Sequence, residues 1–365
     1  MIRVLHIFHE MSNGGNCHFV MNYYRHMNRD EIQFDFLTSV SEPGYFDEEI
    51  LSLGGRLFHA CPIEKNPVRN YLDIARIVRE NQYQIVHRHT GSAFGYFDLR
   101  AAKHGGAKYL ILHAHSTDVG RPAVDKAARL LLRMDCHRFA CSQEAGEFLF
   151  GKGKSFEVIP NAIEINRFVF QPDVRETMRK DLGLGNKLVI GHIGWMQEQK
   201  NHKRLLSIFA AIHQKRIDSA LVCVGDGKLV EEIKSLAARQ GLGKDILFLG
   251  QRSDVEKVLQ CFDVFLLPSL YEGFPVTLVE AQANGLPCFA SKDAVPQAVN
   301  MTGNVRFISL AESDTYWADQ ILKRDMKRDK NAPVKVRAAG YDIVGESEKL
   351  ANHYFKIEAS IEDVG

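Results

Sequence analysis

Two glutamates, Glu272 and Glu280, stand in the segment LLPSLYEGFPVTLVEAQANGLPCFAS, which reads as a buried strand, a loop and a helix. The strand ends at Pro268 and the loop carries Glu272 and Gly273. Pro275 reads as the first helical residue, and Asn284-Gly285 reads as the helix stop. Free backbone N–H groups near Phe274, Val276 and Thr277 would suit phosphate oxygens. Glu280 would lie about 7–8 Å down the helix axis at a rise of roughly 1.5 Å per residue. The two carboxylates could thus touch different parts of one elongated ligand. Carboxylates accept hydrogen bonds, which makes sugar and ribose hydroxyls their natural partners. A solvated loop carboxylate and a helix carboxylate paired with a nearby base account for the same residues equally well.

A second segment, LVIGHIGWMQEQKNHKRLLSIF, reads as strand, glycine-punctuated loop and helix. Lys200 sits just before that helix, where an ammonium would offset the charge of a departing phosphate. Lys203 and Arg204 follow it, Arg204 being equally suited to a solvated helix face. Gly14-Gly15 follow the first apolar run and open a helix, which permits close backbone approach to a ligand. Their spacing is not that of a dinucleotide-binding fingerprint. His113-Ala114-His115-Ser116 and His87-Arg88-His89 end two strand-like runs, and alternate residues share a face. A histidine at that rim would hydrogen-bond a sugar hydroxyl. Histidines spaced by two without a carboxylate cluster argue against a metal, so none is expected.

These segments need a scaffold, and the apolar pattern supplies one. Strand-like runs at Val4–Phe8, Phe34–Leu37, Leu57–Ala60, Ile85–His89, Tyr109–His113 and Phe139–Ser142 alternate with helix-like stretches. The second half repeats the rhythm from Leu188–Ile193 to Cys288–Ala290. Strands apolar throughout are buried on both faces, as in parallel sheets covered by helices. The expected fold is α/β, with two doubly wound Rossmann-like domains facing across a cleft. The expected domains are residues 1–165 and 166–344, with a final helical segment, 345–365, packing back on the first.

Composition describes an ordinary globular chain of 365 residues, 45% hydrophobic and 25% charged. Its formal net charge of +1 offers no global field for nucleic acid, and no such partner is expected. The opening MIRVLHIFHE reads as a strand and not as a signal or transit peptide. No apolar run reaches the roughly 18–20 residues that span a bilayer. Seven scattered cysteines without a C-x-x-C pair suit free thiols in a reducing compartment, so a cytoplasmic location is expected. Arg121, Lys126, Arg129 and Arg133 accompany Leu130, Leu131 and Leu132 within residues 121–138. This basic amphipathic stretch suits either an anionic lipid surface or a solvated helix over the core.

E-G-F-P-V-T-L-V-E, from Glu272 to Glu280, resembles the signature of glycosyltransferase family 4, retaining transferases of the GT-B fold. The resemblance implies that Glu272 lies by the transferred sugar and that Glu280 binds the ribose. It also implies that Gly273, Phe274, Pro275, Val276 and Thr277 hold the diphosphate. Lys200-Asn201 match the family's G-R-x4-K-N element, with Trp195 where arginine is usual. Arg supplies a bidentate phosphate grip that indole cannot, so Lys200 with the helix N-terminus must suffice, or Arg204 or Lys203 must substitute, or the enzyme is impaired. His115 is the histidine indicated by the match. Gly225-Asp226-Gly227 and Gly250–Val255 resemble further elements around the nucleotide, placing Arg252 along the base or diphosphate; an ion pair with Asp254 is the other reading. The segment GGNCHFVMNYYR, which includes Gly15, resembles transferases that build bacterial exopolysaccharide or capsule.

The resemblance implies a retaining hexosyltransferase with a nucleotide-diphosphate sugar donor, UDP-linked, and no metal cofactor. Glu272, His115 and Lys200 would be its catalytic residues. The acceptor would be a glycan or polyprenyl-linked glycan in bacterial surface-polysaccharide synthesis, met at the inner face of the membrane. A catalytically silent GT-B partner subunit and a nucleotide-sugar epimerase are the alternatives.

Overall fold

The computed structural model describes residues 1–116 and 122–362, and Arg121 lies outside them. The chain divides into two compact units, Met1–Ala162 with the segment from Ile343 onward, and Ile163–Asp342.

The first unit begins β1 (Ile2–Ile7), α1 (Gly15–His26), β2 (Ile32–Thr38), α2 (Asp47–Ser52) and β3 (Leu57–His59). It continues α3 (Pro67–Glu80), β4 (Ile85–Thr90), α4 (Gly95–His104) and β5 (Tyr109–Ala114). Then follow α5 (Pro122–Leu132), β6 (His137–Ala140), α6 (Gln143–Phe150) and β7 (Glu157–Val158). The strands form one sheet in the order β3-β2-β1-β4-β5-β6-β7, with parallel pairing throughout.

The second unit holds α7 (Ile165–Phe168), α8 (Pro172–Asp181), β8 (Leu188–Ile193), α9 (His202–Lys215) and β9 (Ser219–Val224). After these come α10 (Val230–Arg239), β10 (Ile246–Phe248), α11 (Val255–Val258), β11 (Val264–Leu267) and α12 (Val276–Ala283). It closes with β12 (Cys288–Ser291), β13 (Val305–Ile308), α13 (Asp314–Leu322) and α14 (Ala332–Ala338). Its sheet runs β10-β9-β8-β11-β12-β13, again parallel. Both sheets therefore reverse direction beside their first strand, between β1 and β4 and between β8 and β11. Open α/β sheets bind ligands at such a switch point, outside the carboxyl ends of the strands.

Burial on both faces explains the uniform strands: every residue of β8, β9 and β11 is buried. In the first unit, Val4, Phe34, Ile85 and Ile111 pack with Val20 and Tyr24 of α1 on one face. Leu5, Val86 and Leu112 pack with Ile74, Val78 and Leu99 of α3 and α4 on the other.

The expected boundaries shift slightly. Ile163 and Ile165, expected in the first domain, belong to the second core, and Ile163 N–H donates to Tyr341 O at 3.0 Å. The last helix, α15 (Ile343–Glu362), starts before residue 345 and belongs to the first unit. Its Leu350 and Tyr354 are buried in that unit's core, and Tyr354 Oη meets His87 Nδ1 at 2.7 Å. The expected basic helix over 121–138 ends at Leu132, because His137 and Arg138 enter β6. All seven cysteines are free thiols.

Candidate active site

Lys200 and Glu272 are brought together at the switch point of the second sheet. Lys200 lies in the loop after β8, and Glu272 in the loop after β11, the neighbouring strand. Lys200 Nζ donates to Glu272 Oε1 at 2.7 Å, with side chains only 14% and 5% exposed. Ser269 Oγ donates to the same oxygen at 2.6 Å, and Gln199 Nε2 to the other at 3.4 Å. The loops are also joined through their backbones. Leu270 N–H donates to Gln199 O at 2.8 Å, and Asn201 Nδ2 to Pro268 O at 3.1 Å. Asn201 takes the left-handed conformation at φ 55°, a conformation that Asn tolerates better than most residues, and so aims Lys200 back over the sheet. Gly194 makes room for the lysine stem, since a Cβ there would lie 3.2 Å from Lys200 Cδ and Cε.

The helix beside this pair begins at Val276. Pro275, expected as its first residue, is instead the N-cap in an extended conformation and makes no side-chain cap hydrogen bond. Proline also carries no N–H, so any phosphate contact here falls to its neighbours. The first turn of α12 is thus left without a capping side chain, as an anion site requires. Thr277 Oγ1 is buried there without a partner. Phe274 stacks on Tyr341 at 5.2 Å, fixing the loop. Glu280 is half-buried on the same helix, and burial pushes its pKa up to about 7 against the partial pull of Arg167. A carboxyl so placed awaits hydrogen-bond donors.

Around the pair, Met196 N–H donates to Asp226 O at 2.7 Å, and Gly225 N–H to Gly250 O at 2.8 Å. Gly225 (φ 132°) is required, because a Cβ there would sit 2.1 Å from Gly194 O. Trp195 is 42% exposed on this floor. Arg204 and Arg252 are not gathered with Lys200. Arg204 pairs with Asp314 at 2.9 Å and donates to Glu312 O, at the start of α13. Arg252 is a bidentate partner of Asp254 at 2.8 and 2.7 Å. Lys203, the other substitute considered, pairs with Glu232 at 2.7 Å. The site also holds residues that sequence reasoning passed over, Ser269 and the buried His192 and His202. His192 Nδ1 donates to Leu266 O at 2.9 Å, and its ring meets His202 edge-on. Burial lowers both pKa values, that of His202 to about 4.

In the first unit, Gly15 opens α1 just after β1, and a Cβ there would meet nothing within 4 Å. Protein packing does not demand this glycine. His115 follows β5 and is half-buried at the carboxyl rim. Behind it a row of histidines crosses β1, β4 and β5. His89 Nδ1 lies 2.8 Å from His115 Nε2, and His6 Nδ1 lies 2.9 Å from His89 Nε2. His87 Nε2 lies 3.1 Å from His113 Nδ1. Arg88 points to the other face and pairs with Asp98 at 2.5 Å. The repeated H-x-H spacing signals that such residues share a face, but only the strand order shows that they meet. Two triplets, His6/His87/His89 and His89/His113/His115, place ring nitrogens within 4.8 Å of one another. Neither triplet contains a carboxylate or thiolate to offset a dication, and the facing ring nitrogens are engaged in histidine–histidine hydrogen bonds.

Residues 174–341 match the family described as Glycosyl transferases group 1, and residues 14–167 match Glycosyltransferase Family 4. EpsF of Bacillus subtilis (strain 168) is 37% identical over 370 residues, covering 96% of each chain. The chain belongs to glycosyltransferase family 4. A second relative of this glycosyltransferase is the UDP-Gal:alpha-D-GlcNAc-diphosphoundecaprenol alpha-1,3-galactosyltransferase of Escherichia coli. It is 28% identical, covering 71% of this chain and 72% of the relative. The crystal structure of Anabaena HepE in complex with UDP superposes with a TM-score of 0.79 at 20% identity, covering 98% of this chain and 100% of HepE. The transferase therefore has the GT-B fold, built from two parallel-sheet α/β domains.

Proposed function

We propose that this family 4 glycosyltransferase moves a sugar from a UDP-linked donor, with retention, to a glycan or lipid-linked acceptor in bacterial surface-polysaccharide synthesis. The observation that carries this reading is the Lys200–Glu272 pair, 2.7 Å across, beside the uncapped start of α12. A diphosphate at that helix start meets backbone N–H groups of Gly273, Phe274, Val276 and Thr277. Lys200 exchanges Glu272 for the phosphate and stabilises the charge that develops as the nucleotide leaves. Glu272, freed, orients the sugar through its hydroxyls. Glu280 accepts from the ribose hydroxyls. His115 hydrogen-bonds a hydroxyl of a bound sugar. The charge of the leaving group is carried by the helix start and Lys200, so the reaction proceeds without a metal cofactor.

The E. coli relative, whose name gives a UDP-galactose donor and a diphosphoundecaprenol acceptor, supports both substrate classes. HepE, crystallised with UDP, supports the nucleotide. Membrane contact is assigned to α5, which exposes Val124, Leu130 and Leu131 beside Lys126. No helix among the described residues is long and apolar enough to cross a membrane. A peripheral site on the inner membrane face would meet a polyprenyl-linked acceptor.

The test is a panel of UDP-sugars with lipid-diphosphate GlcNAc as acceptor, read by UDP release and by NMR of the product anomer, with and without EDTA. The proposal expects one UDP-sugar to turn over with its anomeric configuration kept, undiminished by EDTA. An inverted product would refute retention, and turnover only with another nucleotide would refute the UDP donor.

A further inference from the structure

The histidine row behind His115 has a consequence for how that residue meets a substrate. His6 and His89 are 1% and 2% exposed; the ring of His89 is packed among aromatic rings, and its backbone carbonyl accepts from Arg88 Nη1 at 2.6 Å. Phe8 stacks on His89 at 4.4 Å, Phe19 lies at 6.0 Å, and His87 and His113 flank it. Burial lowers the pKa of His6 and of His115 to about 3, and that of His89 well below its ordinary value. All three rings are therefore neutral near pH 7, each with one N–H and one lone pair.

Two hydrogen bonds in series leave only two arrangements. His89 shares Nδ1 with His115 Nε2 and Nε2 with His6 Nδ1. It must donate through one nitrogen and accept through the other. Either all three rings carry their proton on Nδ1, or all three carry it on Nε2. The far end of the chain separates them, because His6 Nε2 is buried without a partner. Its ring neighbours are Phe34 at 4.1 Å, Phe36, His87 and His89. The Nε2–H arrangement buries an N–H there with no acceptor, which forfeits a hydrogen bond and carries a desolvation cost. The Nδ1–H arrangement leaves only a lone pair unmatched.

We propose that His89, backed by His6, is a positioning residue that locks His115 as the Nδ1–H tautomer. His115 then presents a hydrogen-bond donor to a substrate hydroxyl, and its Nε2 is occupied by the His89 N–H. This rests on the reading of His115 as a sugar contact. It deepens that reading by assigning the hydroxyl the acceptor role and by excluding His115 Nε2 as a base.

The test is a long-range 1H–15N correlation of histidine ring nitrogens in the full chain, with His115→Asn used to assign the His115 signals. The expected wild-type spectrum shows His115, His89 and His6 all protonated on Nδ1. His115 protonated on Nε2 would overturn the lock. His89→Phe should release His115 into a tautomer mixture, and His89→Asn, whose amide N–H overlays Nδ1, should restore the Nδ1–H form. Turnover should follow, with kcat down about tenfold in His89→Phe and recovered in His89→Asn, at unchanged affinity for UDP. A His115 tautomer unmoved by His89→Phe would overturn the positioning role. Should His89→Phe fail to fold, the wild-type spectrum and His6→Phe, expected to mix the tautomers, decide. The spectrum needs no sugar. Turnover unaffected by His115→Ala would therefore refute the sugar contact alone, and leave the lock to be judged by the spectrum.

Discussion

Lys200 and Glu272 are 72 residues apart in the chain and 2.7 Å apart in the fold, an ion pair at the rim shared by β8 and β11. Each neutralises the other, so on the proposed reading a donor diphosphate competes with Glu272 for the ammonium. Replacing either partner should have opposite consequences for nucleotide binding. Lys200→Met removes the phosphate cation and strands a buried carboxylate; UDP affinity and kcat should both fall, kcat by about 10²–10³. Glu272→Gln frees the ammonium. UDP should bind at least as tightly, while sugar transfer is lost. Calorimetric titration of the two variants separates these outcomes.

Glu280 carries a pH signature. Its pKa rises from 4.5 to about 7 on folding, so between those values the native state holds a proton that the unfolded chain has released. Stability must fall as pH rises through that window and level off above it, by up to about 3 kcal/mol. Denaturant midpoints of Glu280→Gln, subtracted from wild type, should show this slope. The same variant should lose the part of UDP affinity that wild type gains as the carboxyl ionises.

Gly225→Ala tests the floor of the site. Its Cβ would lie 2.1 Å from Gly194 O at φ 132°, where a side chain is strained in any case. A loss of about 2–3 kcal/mol is expected in chemical denaturation, with weaker UDP binding because the Trp195 loop must move.

Trp195→Arg asks what the indole has displaced. The residue is 42% exposed, so the fold should tolerate the change. A guanidinium at this point of the floor should tighten UDP binding about tenfold through a charged hydrogen bond, and the gain should shrink with added salt.

Leu130 and Leu131 are 78% and 76% exposed. Changing both to Ser should cut binding to phosphatidylglycerol vesicles more than about tenfold, because each buried methylene contributes about 0.8 kcal/mol. UDP binding should not change.

The sequence made much of this architecture readable, for a physical reason. Strands buried on both faces, such as LVIGHI at Leu188–Ile193, leave an unbroken apolar run that no surface element imitates. Elements lacking that signal leave a weaker trace in the sequence. β7 is two exposed residues, and β13 interrupts its apolar ends with exposed Arg306. Pro275 carries a helix-start signal but stands one place outside the helix, as its N-cap in an extended conformation. The motif residues were legible singly and their partners were not. Arg204 with Asp314, Lys200 with Glu272, and His6 with His89 join residues from distant parts of the chain. Only the strand order decides which of them meet.

The most direct measurement is titration of UDP into wild type and Lys200→Met by isothermal calorimetry. The account predicts that wild type binds UDP at one site and that Lys200→Met loses at least about tenfold in affinity, roughly 1.4 kcal/mol. Wild type that binds no UDP, or a Lys200→Met variant that binds it unchanged, would contradict the placement of the donor diphosphate at Lys200 and the start of α12.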